Sequence, residues 1–218
     1  MLRTLIPSLC LVAWTLAVTG CQQEPVAGTP EPGTSSTEPA IANTAEDAGD
    51  SSARTIEQTI ATFDELQTSI AESKGRIVVV DYWSTQCLPC MTEFPGLVAI
   101  HNEFPHDQVR CISASLDYEG LPDFSIEDAR KASLEFLEQQ QATLDNFILS
   151  EDSLTVMDDK LKIASIPAVF VFDVDGKLAR LFDESSGEPF TYEKDITPFV
   201  KELVSQRFST EPASADIE

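Results

Sequence analysis

Basic side chains are scarce in this chain. Fourteen lysines and arginines stand against 37 acidic residues, a formal net charge of −23. A surface so acidic repels phosphate backbones and bare anionic lipid, which excludes nucleic acid as a natural partner. Histidine is scarcer: only His101 and His106 occur, and their spacing matches no metal-ligand pattern. Both are expected on the surface. Cysteine is scarce too: of five, only Cys87, Cys90 and Cys111 lie beyond residue 21, one pair plus one left over, which is not a disulfide framework. Long apolar runs are missing as well. The longest, Leu5 to Val18, is interrupted by Pro7 and Ser8 and is too short for a standard membrane span.

That short run has the form of an export signal: Arg3 gives a positive start, and Val18-Thr19-Gly20-Cys21 closes it with small residues. Small residues directly before a cysteine resemble a bacterial lipobox, against the plainer reading of an ordinary signal with a chance cysteine. The resemblance implies cleavage after residue 20 and acylation of Cys21, which would anchor the chain to a membrane without a spanning helix. Residues 1–20 are then the signal. Cys10 leaves with it, and Cys87, Cys90 and Cys111 remain as thiols in an exported, disulfide-permissive setting. Residues 21–53 carry the lipidated cysteine and a linker rich in Pro, Thr, Ser, Ala, Glu and Gly, too polar to offset its ordering entropy. As flexible coil such a linker reaches roughly 30 Å.

Order is expected over 54–208, which holds 28 of the 37 acidic and 13 of the 14 basic residues. Residues 209–218 read as an acidic tail. Thr62 and Glu65 have capping-box spacing ahead of a helix that buries Phe63, Leu66 and Ile70. The β-branched run to Trp83 suits a buried strand. A helix follows Cys90 to about Phe104, with Pro95 expected to kink it. Val109–Leu116 reads as a strand, holding Cys111 as a small buried hydrophobe. A helix over 126–141 has Ala129, Ala132, Leu134, Phe136 and Leu137 as its small or apolar members. Residues 146–149 suit a short strand and 153–163 a short helix. Ala168–Asp173 is a strong strand, turned back by Asp175-Gly176 into 177–182. A last helix spans 196–207, with Pro198 in its first turn. The pattern is a single α/β domain of about 155 residues, a mixed central sheet flanked by helices.

The chemistry gathers at Val78-Val79-Val80-Asp81-Tyr82-Trp83-Ser84-Thr85-Gln86-Cys87-Leu88-Pro89-Cys90. A Cys-x-x-Cys at a strand-to-helix junction sits where unpaired N–H groups and a partial positive charge stabilise a thiolate. The thiolate attacks disulfides and binds metals. Cys87, first and nearest solvent, is the expected nucleophile, and Cys90, one helical turn later, the resolving thiol. A structural disulfide or half of a metal site is the plainer alternative. Asp81, isolated in a buried strand, must either find partners or rise in pKa. Glu93 is a first-turn acid favourable to the helix dipole.

The stretch Val79 to Trp83 followed by Cys87-Leu88-Pro89-Cys90 resembles the thioredoxin superfamily signature. Met91-Thr92-Glu93-Phe94-Pro95 resembles the continuation seen in its membrane-tethered TlpA/ResA-like branch. Ser165-Ile166-Pro167-Ala168 is similar to the superfamily's cis-proline loop. Gln86, Leu88 and Met91 depart from the branch, where Trp, Gly and a basic residue are common. The resemblance spans roughly residues 55–207 and implies a thioredoxin-like fold. It implies a thiol–disulfide oxidoreductase using Cys87 and Cys90, with no cofactor and no metal, acting more as reductant than oxidant. Asp81 would accept a proton from Cys90, and Trp83, Ile166 and a cis Pro167 would flank an extended substrate, with plain core packing the competing reading of Trp83. The implied partners are a disulfide-bearing protein and a dithiol electron donor, on the extracytoplasmic side of a bacterial membrane. Two other readings stand beside it: a metal- or protein-binding module without turnover, and a thiol peroxidase. Peroxiredoxins carry a Pro where this chain has Val80.

Overall fold

A computed structural model of the chain describes residues 55–184, 187 and 189–208. The expected signal, Cys21, the linker and the acidic tail lie outside the described residues. Six strands form one sheet, in the spatial order β1-β4-β3-β2-β5-β6. Along the chain they are β1 (Thr59–Ala61), β2 (Ile77–Trp83), β3 (Val109–Ser115), β4 (Asp145–Leu149), β5 (Ala168–Phe172) and β6 (Leu178–Phe182). The β1/β4, β4/β3 and β3/β2 pairs are parallel, while β2/β5 and β5/β6 are antiparallel. This is the mixed α/β sheet expected of a thioredoxin-like fold.

Central position explains β2. Its seven residues are all buried, because helices cover both faces of the sheet. Alternation along the strand sends Ile77, Val79 and Trp83 to one face and Val78, Val80 and Tyr82 to the other. The first face packs on α2 (Leu88–Glu103), α3 (Ile126–Gln139) and α5 (Thr197–Phe208) through Cys90, Phe94, Leu97, Ile100, Phe136, Leu137 and Val200. The second packs on α1 (Phe63–Ala71) through Phe63, Leu66 and Ile70. Asp81 falls between Val79 and Trp83, so its carboxyl enters the layer shared with α2.

Local chemistry sets the helix starts. Thr62 and Glu65 form the expected reciprocal capping box of α1, and Ser125 and Asp128 form a second one at α3. The inner face of α3 differs in one place from the apolar pattern. Ala132 is exposed and Ser133 is buried, where its hydroxyl donates to Gln58 Oε1 at 2.9 Å. A buried hydroxyl with a partner costs little, so polarity did not keep it out. Residues 153–163 are less regular than a single helix: one α-turn, α4 (Ser153–Thr155), widens into a π-helix over Val156–Leu161 and stops at Lys162 with φ 57°. The last helix is likewise preceded by a π-helical turn, Tyr192–Ile196, which packs into the α2 layer.

Candidate active site

Cys87 is the N-cap of α2, and its sulfur accepts the Cys90 N–H at 3.2 Å. The two sulfurs are bonded at 2.04 Å, with Cα atoms 5.3 Å apart. Their environments differ. Cys90 is 1% exposed and packs among Trp83, Phe94 and Leu97, whereas Cys87 is half-buried beside exposed Leu88 and Pro89. A sulfur on an incoming molecule can therefore reach Cys87 and not Cys90.

The link ahead of Cys87 is clamped by Asp117, which follows β3 and is 7% exposed. Asp117 Oδ1 accepts from Ser84 Oγ at 3.0 Å and from the Thr85 N–H at 2.8 Å; Thr85 Oγ1 donates to the same oxygen. Asp117 Oδ2 takes the Ser115 hydroxyl at 2.6 Å. Ser84 Oγ in turn accepts the Gln86 N–H at 3.1 Å. A buried carboxylate with this many donors holds three successive residues in one conformation. The Cys87 N–H, donating to Ser84 O at 3.0 Å, completes the link.

From the opposite side comes the 165–168 loop. The Ile166–Pro167 peptide is cis, as the resemblance implied. The Ile166 carbonyl oxygen lies 3.6 Å from Cys87 Sγ. In the disulfide that sulfur carries no proton, so this is a contact; a reduced Cys87 thiol at this distance has an acceptor. Ile166 stays partly accessible, while Pro167 is buried.

Asp81 is 2% exposed. Its Oδ2 accepts the Tyr192 hydroxyl at 2.8 Å, and its Oδ1 has no partner. Burial pushes the carboxyl up to about 7; the Tyr192 hydrogen bond pulls it down, and the nearby Glu93 charge pushes it up. The partner is thus a tyrosine hydroxyl. Glu93, expected as a first-turn acid, falls in the second turn of α2 because the helix already starts at Leu88, and its role is a tie to another element. Its Oε2 accepts the Tyr192 N–H at 3.0 Å, tying α2 to the π-helical turn. Tyr192 lies against Gly96 so closely that a Cβ there would meet the tyrosine Cβ at 2.2 Å. Burial raises the Cys111 thiol well above its ordinary value, so it stays protonated and packed.

One expected substrate contact is corrected. Trp83 is 0% exposed, with its ring centroid 5.0 Å from both Phe94 and Phe136. The sheet and two helices cover it, so it supports the site from within and meets no substrate. The histidines lie away from the cysteine pair, stacked on each other at 4.3 Å. Among the described residues, no three His, Cys, Asp or Glu side chains gather to hold a metal.

Asp117, Tyr192 and Gly96 are the site residues that pattern reading missed. Gly96 had a signal, since a glycine inside a helix often has a packing reason. Asp117 had a weaker one, as an acid directly after a strand. Nothing near Tyr192 in sequence points to Asp81.

A family model described as the AhpC/TSA family matches residues 51–181. No curated protein matches the chain. Among solved structures, the chain is similar to a thiol:disulfide interchange protein from Bacteroides sp., at 19% identity and TM-score 0.47, covering 66% of this chain and 82% of that one. It is similar also to a thioredoxin-family thiol:disulfide interchange protein from Chlorobium tepidum TLS, at 17% identity and TM-score 0.45, covering 62% and 83%. The thioredoxin domain of a thiol-disulfide oxidoreductase from Bacteroides vulgatus matches at 23% identity and TM-score 0.43, covering 59% and 82%.

Proposed function

Because the chain belongs to the AhpC/TSA family of thioredoxin-like oxidoreductases, we propose that it is a thiol–disulfide oxidoreductase that reduces protein disulfides through Cys87 and Cys90. The observation that carries this reading is the asymmetry of the pair: one sulfur half-buried at a helix N-terminus, its partner sealed in the core.

A dithiol donor first reduces the Cys87–Cys90 bond and leaves oxidised. The Cys87 thiolate, stabilised by the Cys90 N–H, attacks a substrate disulfide. A mixed disulfide forms, and the substrate's other sulfur departs as a thiolate that takes up a proton. Cys90 then loses its proton to Asp81 and attacks Cys87 Sγ. The mixed bond breaks, the second substrate sulfur leaves, and the protein disulfide seen in the structure is restored. Ile166 and the cis Pro167 flank Cys87 and offer backbone groups to an extended substrate segment. Asp117 keeps the nucleophile's approach fixed.

The Val18-Thr19-Gly20-Cys21 pattern supports export, acylation of Cys21 and attachment to a bacterial membrane, with residues 54–208 working on the extracytoplasmic side. Among the described residues no helix is long and apolar enough to cross a membrane. Replacement of Cys21 by Ser should release the protein from the membrane fraction.

The test of the reaction is a pair of variants. Cys87→Ser should abolish reduction of a model disulfide protein such as insulin. Cys90→Ser should trap substrate as a stable mixed disulfide on Cys87. Activity retained without Cys87 refutes the reading. Peroxide consumption that survives Cys90→Ser but not Cys87→Ser would replace it with a thiol peroxidase. Stoichiometric metal in the purified protein, with no reductase activity, would replace it with a binding module.

A further inference from the structure

Tyr192 is attached to the site at three points, one on β2 and two on α2. Its hydroxyl donates to Asp81 Oδ2 on β2, its backbone N–H donates to Glu93 Oε2 on α2, and its Cβ and Cγ fill the space opposite Gly96. It is 2% exposed. The hydroxyl has a chemical consequence that packing alone does not require. A carboxylate has two oxygens, and here one is engaged while the other is buried without a partner. In a closed interior an unpartnered carboxylate oxygen is costly, and such groups call for an explanation.

We infer that Tyr192 is the positioning residue for the proton that leaves Cys90: it occupies Asp81 Oδ2 and so reserves Oδ1 as the oxygen that receives it. This rests on the oxidoreductase reading above. In the resolving step the Cys90 S–H proton passes to Oδ1, and the Cys90 sulfur pair attacks Cys87 Sγ. The Cys87–substrate S–S bond breaks, and the substrate leaves with that electron pair as a thiolate. Tyr192 keeps its own proton throughout, because burial and the adjacent acids hold its phenol well above the ordinary range. It therefore acts as a fixed donor to the ionised acceptor.

The groups facing this carboxyl are few. Tyr192 faces it from the π-helical turn and Glu93 from α2, while Cys90 of α2 and Cys111 of β3 belong to the layer that the Asp81 side chain enters. The register neighbours of Asp81, Ser113 on β3 and Val169 on β5, bring no charge. Of these only Tyr192 donates a side-chain hydrogen bond to the carboxylate.

The test is Tyr192→Phe, which removes one oxygen and keeps the ring against Gly96. Reduced protein is mixed with 5,5′-dithiobis(2-nitrobenzoate) in a stopped-flow instrument from pH 5 to pH 9. One thionitrobenzoate is released when Cys87 attacks, and a second when Cys90 displaces it; phases that persist in Cys87→Ser are subtracted. The pH midpoint of the second phase should move up by about one unit in the Phe variant, the size expected when a carboxylate loses a charge-assisted hydrogen bond. Its rate on the acid limb then falls about tenfold. The first phase and the alkaline plateau should not change. Against Asp81→Asn the same substitution should add nothing. A midpoint that stays in place, an equal slowing at every pH, or an additive effect in the Asn background would overturn the inference. Failure of the wild-type protein to show any second release would instead overturn the oxidoreductase reading itself.

Discussion

Replacement of Asp81 by Asn should change how the oxidised protein's stability depends on pH. The carboxyl is 2% exposed, with one engaged oxygen and one orphan. Burial raises its pKa from 3.8 to about 7 in the folded chain. In the unfolded chain it returns to the ordinary value. Between those two values the folded state holds a proton that the unfolded state has released. Stability from this group is therefore fully present below pH ~4 and is lost as pH rises through about 7. The interval is roughly three units, and each unit is worth about 1.4 kcal/mol, so the loss approaches 4 kcal/mol by pH ~8. No discount for solvent screening applies to a group this deeply buried.

The measurement is denaturant unfolding of the wild-type and Asn proteins, both oxidised, from pH 4 to pH 9. All other titrating groups are common to the two chains, so they largely cancel in the difference. The Asn variant should match or fall slightly below wild type near pH 4, since its amide is also imperfectly partnered, and should gain on it steadily to a few kcal/mol near pH 8. A difference that is flat across this range would refute the reasoning. It would mean that the Asp81 carboxyl titrates near its ordinary value while folded, and that water reaches it.

Gly96→Ala tests the contact behind Asp81. The new Cβ would lie 2.2 Å from Tyr192 Cβ and 2.4 Å from Cγ, atoms that no rotamer change can withdraw far enough. Overpacking of about 1–3 kcal/mol, together with a weakened Tyr192–Asp81 bond of about 1.5–3 kcal/mol, outweighs a helix-propensity gain of about 0.5–1 kcal/mol. The unfolding midpoint should therefore drop, and an unchanged or raised midpoint would show that α2 and the Tyr192 turn separate freely. Leu88→Lys tests the electrostatics of Cys87. Leu88 is 75% exposed, so a cation there costs little packing. It should stabilise the thiolate by about 0.5–1 kcal/mol and raise the reduction potential by about 10–20 mV in a dithiothreitol redox buffer; a shift to lower potential would contradict the assignment of Cys87 as the thiolate-bearing sulfur.

How legible each part was follows from sequence distance. The Cys87–Cys90 device is local: strand, link, N-cap and one helical turn lie within a dozen residues, and each has a residue-level signal. The α1 capping box and the Asp175-Gly176 turn were legible for the same reason. Pro167 lies far from Cys87, and only a family resemblance marked it. Tyr192 lies 111 residues from Asp81 and 99 from Glu93, with no pattern to announce it. Trp83 was misplaced because strand alternation shows that it shares a face with Cys90 but not how deeply the helices cover that face. Ser133 was missed because burial of a hydroxyl depends on Gln58, which is 75 residues away.

The direction of electron flow can be argued from the same charges. A couple becomes a strong oxidant when its reduced form is stabilised, chiefly by holding a thiolate. Around Cys87 the stabilising side is thin. One backbone N–H reaches the sulfur, at the N-terminus of a helix whose first turn holds no acid and whose sixth residue is Glu93. From Ser84 to Pro95 there is no lysine, arginine or histidine. The opposing side is stronger: Asp117 holds the link to Cys87, Glu93 stands one turn beyond Cys90, and Asp81 is buried in the layer that Cys90 enters. Each negative charge makes a thiolate harder to form and leaves the disulfide comparatively favoured. That balance supports a low-potential couple that gives electrons to its substrate. The departures Gln86, Leu88 and Met91 point the same way, because none supplies the cation that would tip the site toward oxidation.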